Sequence, residues 1–402
     1  MVVGQSVDMV LTMLVIGSCY LTLYNFALGL AGLLAPRVPT PAAPGRLLVV
    51  VPAHNEAAVV ADVVASLGAS RYPRRQFHVL VLADHCTDVT AEISTRAGAD
   101  GVVQRRDGPG GKQHAIRWLL DQLQATGALD AYRGVVVVDA DNLVHPDLLA
   151  RLNDHLAAGA AAVQASLDTR NPETGWIARS YAAAYWVSNL LVQRARYRLG
   201  LSALLGGTGM AIATWALRLV PFRPQTLVDD LEYTLQLICA GERVAYCEVP
   251  VYDEKPLTMR ASIRQRTRWM RGQAACLLTM AGPLLRRAAR TGDLAAIDQF
   301  VCLWNPVAMV VTSLYFLLTL PLQGAIGIAL WLGFNAALNV VFLARAGVRP
   351  RLWGNAACAM VFSFSWIVPV LWGFATWRRR GWTHTQHVGA GMSAPTPTGG
   401  IA

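Results

Sequence analysis

Four blocks of the chain, residues 9–35 and about 299–320, 324–343 and 354–377, contain no Asp, Glu, Lys or Arg. Each approaches or exceeds the roughly 20 apolar residues needed to cross a bilayer. Between the first block and the others, short β-branched runs alternate with stretches of helical period. Strands are predicted at Leu47–Val51, Phe77–Ala83, Val135–Asp139 and Ala162–Leu167, with helices starting near Glu56, Asp88, Lys112 and Pro146. Strand and helix in alternation predict an α/β domain built on a parallel sheet with helices on both faces. The organisation read from this pattern is a transmembrane helix at 9–35, a globular domain at 46–255, amphipathic interfacial helices at 256–292, a membrane region of two to three transmembrane helices at 296–377, and a basic, then disordered, tail at 378–402.

The first block is a retained helix and not a cleaved signal, because MVVGQSVD before it carries no basic residue. Arg37 and Arg46 follow it, so the positive-inside rule places the domain in the cytoplasm and the protein in the cell (inner) membrane. Three full spans after the domain would then put the basic stretch WRRRGWTHTQH outside. One block is therefore expected to be re-entrant or interfacial, and Pro306, Pro321 and Gly324 point to 299–343.

Composition agrees: 54% of the 402 residues are hydrophobic and only 15% charged, too apolar for an ordinary soluble enzyme. The net charge of +10 sits in arginine clusters beside the apolar helices, at 193–198, 260–271, 286–290 and 378–380. Anionic lipid headgroups account for it, and no nucleic-acid partner is implied. Seven scattered cysteines without a CxxC pair argue against structural zinc and against disulfides.

Candidate chemistry lies where predicted strands end. In GVVVVDADNLVHPDLL (134–149) a buried valine run stops at Asp139 and Asp141, beyond a strand end, where α/β sheets bind ligands. The pair suits Mg²⁺ or Mn²⁺ with diphosphate oxygens completing the shell, or else one Asp caps the next helix. PAHNE and ADHCTD end the first two strands, offering Glu56 and Asp84 to a base or ribose. GPGGK (108–112) fails the P-loop pattern, though Lys112 could reach a diphosphate. LLGGTGM (204–210) offers open backbone at Gly207, Thr208 and Gly209 for close approach of a sugar. In TLVDDLEYTLQL (226–237) one of Asp229 and Asp230 is expected to cap a helix, leaving the other spare. QRTRWMRGQ (265–273) sets arginines around Trp269, an interfacial helix that doubles as sugar platform and phosphate clamp.

In this order the motifs VVPAHNE, ADHCTD, DAD, GGTGM, VDDLEY and QRTRW resemble, over residues 46–275, the family 2 glycosyltransferases, and among them the membrane-embedded synthases of cellulose, hyaluronan, chitin and poly-N-acetylglucosamine. The resemblance implies a GT-A type, Rossmann-like nucleotide-sugar domain inserted between transmembrane helices. It implies a UDP-sugar site containing Ala53, Glu56, Asp84, Lys112, Asp139, Gln265 and Arg268, metal on Asp139 and Asp141, Asp230 as general base, and an acceptor site at Gly207, Thr208, Gly209 and Trp269. The implied activity is metal-dependent inverting transfer of sugar to a growing β-linked polysaccharide, exported across the membrane with an accessory export subunit as a further partner. The same machinery would serve transfer of one sugar to a lipid carrier such as polyprenyl phosphate. Two positions depart from the family pattern: Val228-Asp229-Asp230 stands for the usual TED, and His54 for a frequent aromatic.

Overall fold

A computed structural model of the chain describes residues 2–379, so the tail from residue 380 lies outside the described residues. A long helix, α1 (Val2–Gly29), leads through an extended linker into β1 (Leu47–Ala53), followed by α2 (Val60–Gly68), β2 (Phe77–Asp84), α3 (Thr90–Arg96), β3 (Gly101–Arg105) and α4 (Lys112–Ala125). Next come β4 (Gly134–Val137), β5 (Leu143–Val144), α5 (Leu148–Ala157), β6 (Ala162–Thr169), α6 (Gly175–Ser188), α7 (Ala195–Arg198), β7 (Met210–Ala213), α8 (Thr214–Leu219), α9 (Asp229–Ala240) and β8 (Val244–Asp253). The chain ends in α10 (Met259–Thr291), α11 (Leu294–Cys302), α12 (Asn305–Arg345), α13 (Asn355–Phe364) and α14 (Ile367–Ala375).

The strands form one sheet in the order β3-β2-β1-β4-β7-β6-β8-β5. Every residue of β1 and β4 is buried, as their apolar composition requires of strands covered on both faces. The first four positions in this order are parallel, as expected, but β7 pairs antiparallel with both β4 and β6, and β5 antiparallel with β8. The sheet is therefore mixed. The chain reaches β7 only after the excursion through α6 and α7, and it re-enters in the opposite direction. Gly134 permits this pairing: a Cβ there would stand 2.7 Å from the Ile212 carbonyl oxygen.

Among the described residues, four stretches are long and apolar enough to cross a bilayer: Thr12–Leu33, Asn305–Leu322, Gly324–Arg345 and Pro350–Ala375. The second and third are the two halves of α12, broken at Gly324, whose φ of 64° and ψ of 168° no helix contains. Asn25 donates to Asn305 at one end of α12 (2.9 Å), and Phe26 packs on Phe342 near the other (centroids 6.3 Å). Both ends thus lie beside one turn of α1, and α12 is a hairpin that turns at Gly324. The break falls within the 299–343 stretch where an interruption is expected, and glycine at positive φ reverses the chain there between two helices long enough to span.

A buried polar cluster fastens these helices to the domain. Fully buried Arg196 pairs with fully buried Asp298 (2.9 Å) and donates to Asn25 (2.8 Å), while the Tyr24 hydroxyl donates to Asp298 (3.1 Å).

Candidate active site

At the carboxyl ends of β1, β2 and β4 lies a cleft of about 250 Å³. Ala53, Glu56, Asp84, Lys112, Asp139, Asp141, Gly207, Thr208, Asp230, Gln265, Arg268 and Trp269 all line it. Residues read from seven separate motifs are brought together. Gly209, expected on the acceptor side with Gly207 and Thr208, does not line the cleft. It lies behind the cleft, where a Cβ would stand 2.7 Å from Val251, and its carbonyl accepts the Ala165 amide (2.9 Å).

The strand ends hold each other. Asn55 and His85 adopt positive φ, 55° and 51°, just past β1 and β2. Asn55 Oδ1 accepts the Thr87 amide (2.8 Å), latching the two loops together. Asp84 is buried, and its carboxylate is engaged by Arg105, its register partner on β3, by His85 Nδ1 (2.9 Å) and by the Gly111 amide (2.8 Å). Arg105 also donates to the Pro109 carbonyl (2.8 Å). Asp84 therefore pins the glycine-rich loop at the mouth of the cleft, whatever else it meets.

That loop delivers Lys112 to the start of α4. Its ammonium pairs with Asp139 and donates to the Gly207 carbonyl (2.6 Å). Burial works against this charge, but Asp139, Asp229 and Asp230 outweigh it and hold the Lys112 pKa above normal. Thr208 Oγ1 accepts both the Asp139 amide (3.1 Å) and Asn142 Nδ2 (2.5 Å), which fixes the turn carrying Asp139 and Asp141. Gln164 in turn accepts the Gly206 amide (2.8 Å) and donates to the Thr208 carbonyl (2.9 Å). Among the described residues no three His, Cys, Asp or Glu side chains converge as a metal group. Asp139 and Asp141 therefore fit a hard divalent cation only together with oxygens from a ligand, as a diphosphate would supply. The Lys112 ammonium seated on Asp139 shows that positive charge is accommodated there.

Across the cleft, Asp229 and Asp230 open α9. Neither occupies the N-cap position, which is Val228, but Asp230 Oδ1 accepts the first-turn amide of Leu231 (2.8 Å). Glu232 takes up the preceding loop, accepting the amides of Gln225 (2.8 Å) and Thr226 (2.7 Å). Asp229 Oδ2 is buried without a hydrogen-bond partner among the described residues. Burial, then the neighbouring Asp229, pushes the Asp230 pKa up to about 7, and burial also raises that of Asp229. Gly207 must be glycine here, since its φ is +82° and a Cβ would sit 3.2 Å from Asp230 Oδ2.

α10 forms the third wall. The amide oxygen of Gln265 is buried with no hydrogen-bond partner, and Arg268 makes no ion pair or hydrogen bond among the described residues. Arg268 is available to an anionic ligand, and the Gln265 oxygen to a donor such as a sugar hydroxyl. Trp269 stacks on Trp366 (6.4 Å, 25°) and meets Tyr181 edge-on (6.5 Å, 89°), so part of its surface faces protein.

Asp253, Tyr185 and Asn142 also line the cleft and were not singled out from the sequence. Asp253 ends β8 as Asp84 ends β2 and pairs with Lys255, whose ammonium lies 3.5 Å from the Tyr185 ring centroid. The signal was present in VAYCEVPVYD, an apolar run closed by an acid.

A family model described as glycosyltransferase like family 2 matches residues 44–272. Over 246 residues the chain is 30% identical to a beta-monoglucosyldiacylglycerol synthase of Synechocystis sp., covering 59% of this chain and 49% of that protein. It is 24% identical over 247 residues to the probable glycosyltransferase YdaM of Bacillus subtilis, covering 58% of this chain and 56% of that one. The chain thus spans about half the length of the curated relatives it matches. Among solved structures, a mannosyltransferase of Pyrobaculum calidifontis, in complex with GDP-mannose and Mn²⁺, aligns with a TM-score of 0.55 at 20% identity, covering 87% of this chain and 98% of that one.

Proposed function

The chain belongs to the family 2-like glycosyltransferases, and on that premise we propose that it transfers one hexose from a UDP-sugar, with inversion, to a hydroxyl of a membrane lipid. Its α/β domain has the Rossmann-like GT-A fold expected from the sequence. The observation that carries the reading is the facing arrangement in one cleft: strand-end carboxylates Asp139 and Asp141 on one side, Asp230 on a separate helix, and α10 joining them to the apolar helices.

In this reading the uridine lies over the ends of β1 and β2, near Ala53, Glu56 and Asp84. Asp139 and Asp141 would hold Mg²⁺ or Mn²⁺ against the diphosphate, which neutralises the leaving group. Lys112 exchanges its contact with Asp139 for the phosphate oxygens, and Arg268 and Gln265 hold them from the α10 side. Asp230 accepts the proton of the acceptor hydroxyl as its oxygen attacks the anomeric carbon from the face opposite the diphosphate. A β-linked product from an α-linked donor follows. Gly207 and Thr208 line the acceptor side, with Trp269 and its partner Trp366 as the wall nearest the apolar helices.

A lipid acceptor is favoured over the growing polysaccharide suggested by QRTRW, because a relative at 30% identity is named a glycolipid synthase. The motif keeps polymer synthesis as the second reading, and with it export and an accessory export subunit. The test is to incubate the protein in vesicles containing diacylglycerol or polyprenyl phosphate with labelled UDP-glucose and Mg²⁺ or Mn²⁺. Label is expected in the organic extract as a single β-linked sugar on lipid, and chelation should abolish it. Water-soluble label of polymer size would overturn the lipid reading in favour of the second.

A further inference from the structure

Pro350–Ala375 has the length and mean hydropathy, 26 residues and 1.8, of a bilayer-crossing helix. Its contacts are those of something else. The stretch is broken into α13 and α14, and it is tied to the globular domain from end to end. At its start Arg351 pairs with Glu173 (3.6 Å) and Asn355 donates to the Pro172 carbonyl (3.1 Å). Along α13, Ala356 packs with Ala182, Ala183 and Trp186 of α6, and the Phe362 ring lies 5.1 Å from that of Tyr181. At the break, Arg266 of α10 donates to Ser365 Oγ (2.8 Å), its guanidinium 4.3 Å from the Phe362 ring and 4.9 Å from that of Trp366. Along α14, a Cβ on Gly373 would stand 2.5 Å from Met270 Cβ, and Arg271 Nε donates to Thr376 Oγ1 (2.9 Å).

The partners on α10 advance with the segment: 266 against 365, 269 against 366, 270 against 373 and 271 against 376. A crossing helix would carry residue 376 about 30 Å through the hydrocarbon. Here residue 376 ends beside Arg271, less than one turn past Arg268 and Trp269, which line the polar cleft. A residue held there cannot lie at the opposite membrane surface.

We infer that residues 350–376 do not cross the bilayer but lie along α6 and α10 at its surface, with their outward face against acyl chains and residue 379 on the same side as the catalytic domain. The outward face is apolar: Val361, Val368, Leu371 and Trp372 are 54–67% exposed. It continues the surface of the α12 hairpin, where Phe316 stacks on Phe364 (5.8 Å) and Val310 packs with Val370 and Met270. That continuity selects acyl chains as the occupant. Charge points the same way, because basic residues flank both ends, Arg349 and Arg351 before and Arg378 and Arg379 after, while Gly324 at the hairpin turn has none nearby. The segment is long enough to span, yet acts as an interfacial hairpin.

The inference rests on the membrane reading of α1 and α12 and is independent of the acceptor. It is tested in the full chain with Cys19, Cys86, Cys239 and Cys358 replaced by serine and one cysteine added: Arg96→Cys on the domain, Ala325→Cys at the hairpin turn, or Arg379→Cys. Sealed vesicles of each orientation are treated with a membrane-impermeant maleimide, and labelling is scaled to detergent-solubilised protein. Residue 379 is expected to label from the side that labels residue 96, and residue 325 only from the other. Labelling of residue 379 with residue 325 overturns the inference, and so does protection from both sides, which would place it within the bilayer. Residue 325 labelling with residue 96 would sink the membrane reading, and the inference with it.

Discussion

Asp230 stands in the first turn of α9, where the helix dipole favours a carboxylate. Burial and Asp229 nevertheless outweigh the dipole and set its pKa near 7. A base so placed is protonated in acid, so kcat/KM should rise with one-proton slope through about pH 7 and then level off. Because the folded pKa lies above the ordinary 3.8, the native state holds this proton more tightly than the unfolded chain. The resulting stability is fully present below about pH 4 and is lost as pH rises through about 7, so activity and stability trade in opposite directions across that window. Asp230→Asn should lower turnover by roughly 10² to 10⁴ and erase the rising limb, with UDP affinity near wild type in calorimetry. Asp229→Asn should be milder and shift the limb to lower pH, since it removes the charge that raises Asp230. If the two variants exchange behaviours, the base is Asp229. Gly207→Ala would place a Cβ against Asp230 in a left-handed backbone costing about 1–2 kcal/mol. Activity measured beside thermal unfolding should therefore fall much further than stability does. These residues were legible in the sequence because each acid closes an apolar run or opens a helix. Thr208 as the acceptor that orders the Asp139 turn was not legible, since a hydroxyl between glycines has no periodic signal.

At the scale of elements, β1, β2 and β4 were readable because they are almost wholly apolar runs of the length strands take, and β6 because Val163, Ala165 and Leu167 alternate with polar residues. β7 was hidden: its four residues MAIA follow GGTG and carry no alternation. β8 contains Glu248 and Pro250, which read as loop, yet Arg194 neutralises the glutamate, and the register with β6 shifts just before the proline, leaving Glu248 and Val249 of β8 without register partners. The break in α12 was legible, because Pro321 and Gly324 separate its two apolar blocks, but hydropathy does not say which way the glycine turns the chain. Arg266 was read only as part of an arginine cluster, whereas it is fully buried between α10 and the α13–α14 break, held by Ser365 and two aromatic rings. It acts as a positioning residue, keeping Trp366 against Trp269. On the proposed reading, Arg266→Met should raise KM for a lipid acceptor while leaving KM for the UDP-sugar near wild type. Lysine should rescue poorly, because an ammonium lacks the planar face that stacks on Phe362 and Trp366. Equal change in both constants would show that the arginine supports the whole fold and not the acceptor wall.

Across the whole molecule, the division into an α/β domain and apolar helices was open to the sequence, since both rest on local pattern. How the parts are joined was not, because Arg196, Asp298, Asn25 and Tyr24 are distant in the chain and individually unremarked. Breaking a buried pair of this kind by removing one partner typically costs about 3–5 kcal/mol. Arg196→Met should therefore lower the unfolding temperature of the detergent-solubilised protein markedly, while Asp298→Asn, which keeps hydrogen-bonding groups, should lower it less. The pairing also sets an order in time. Tyr24 and Asp298 are 274 residues apart. At about 5–20 residues per second, a ribosome that has delivered the first helix needs roughly 14–55 s to supply the aspartate. Throughout that interval the polar groups of Tyr24 and Asn25 must be tolerated by lipid, by water at the bilayer edge or by the insertion machinery. The newborn helix is thus an unfinished part that waits for 274 further residues before it can lock.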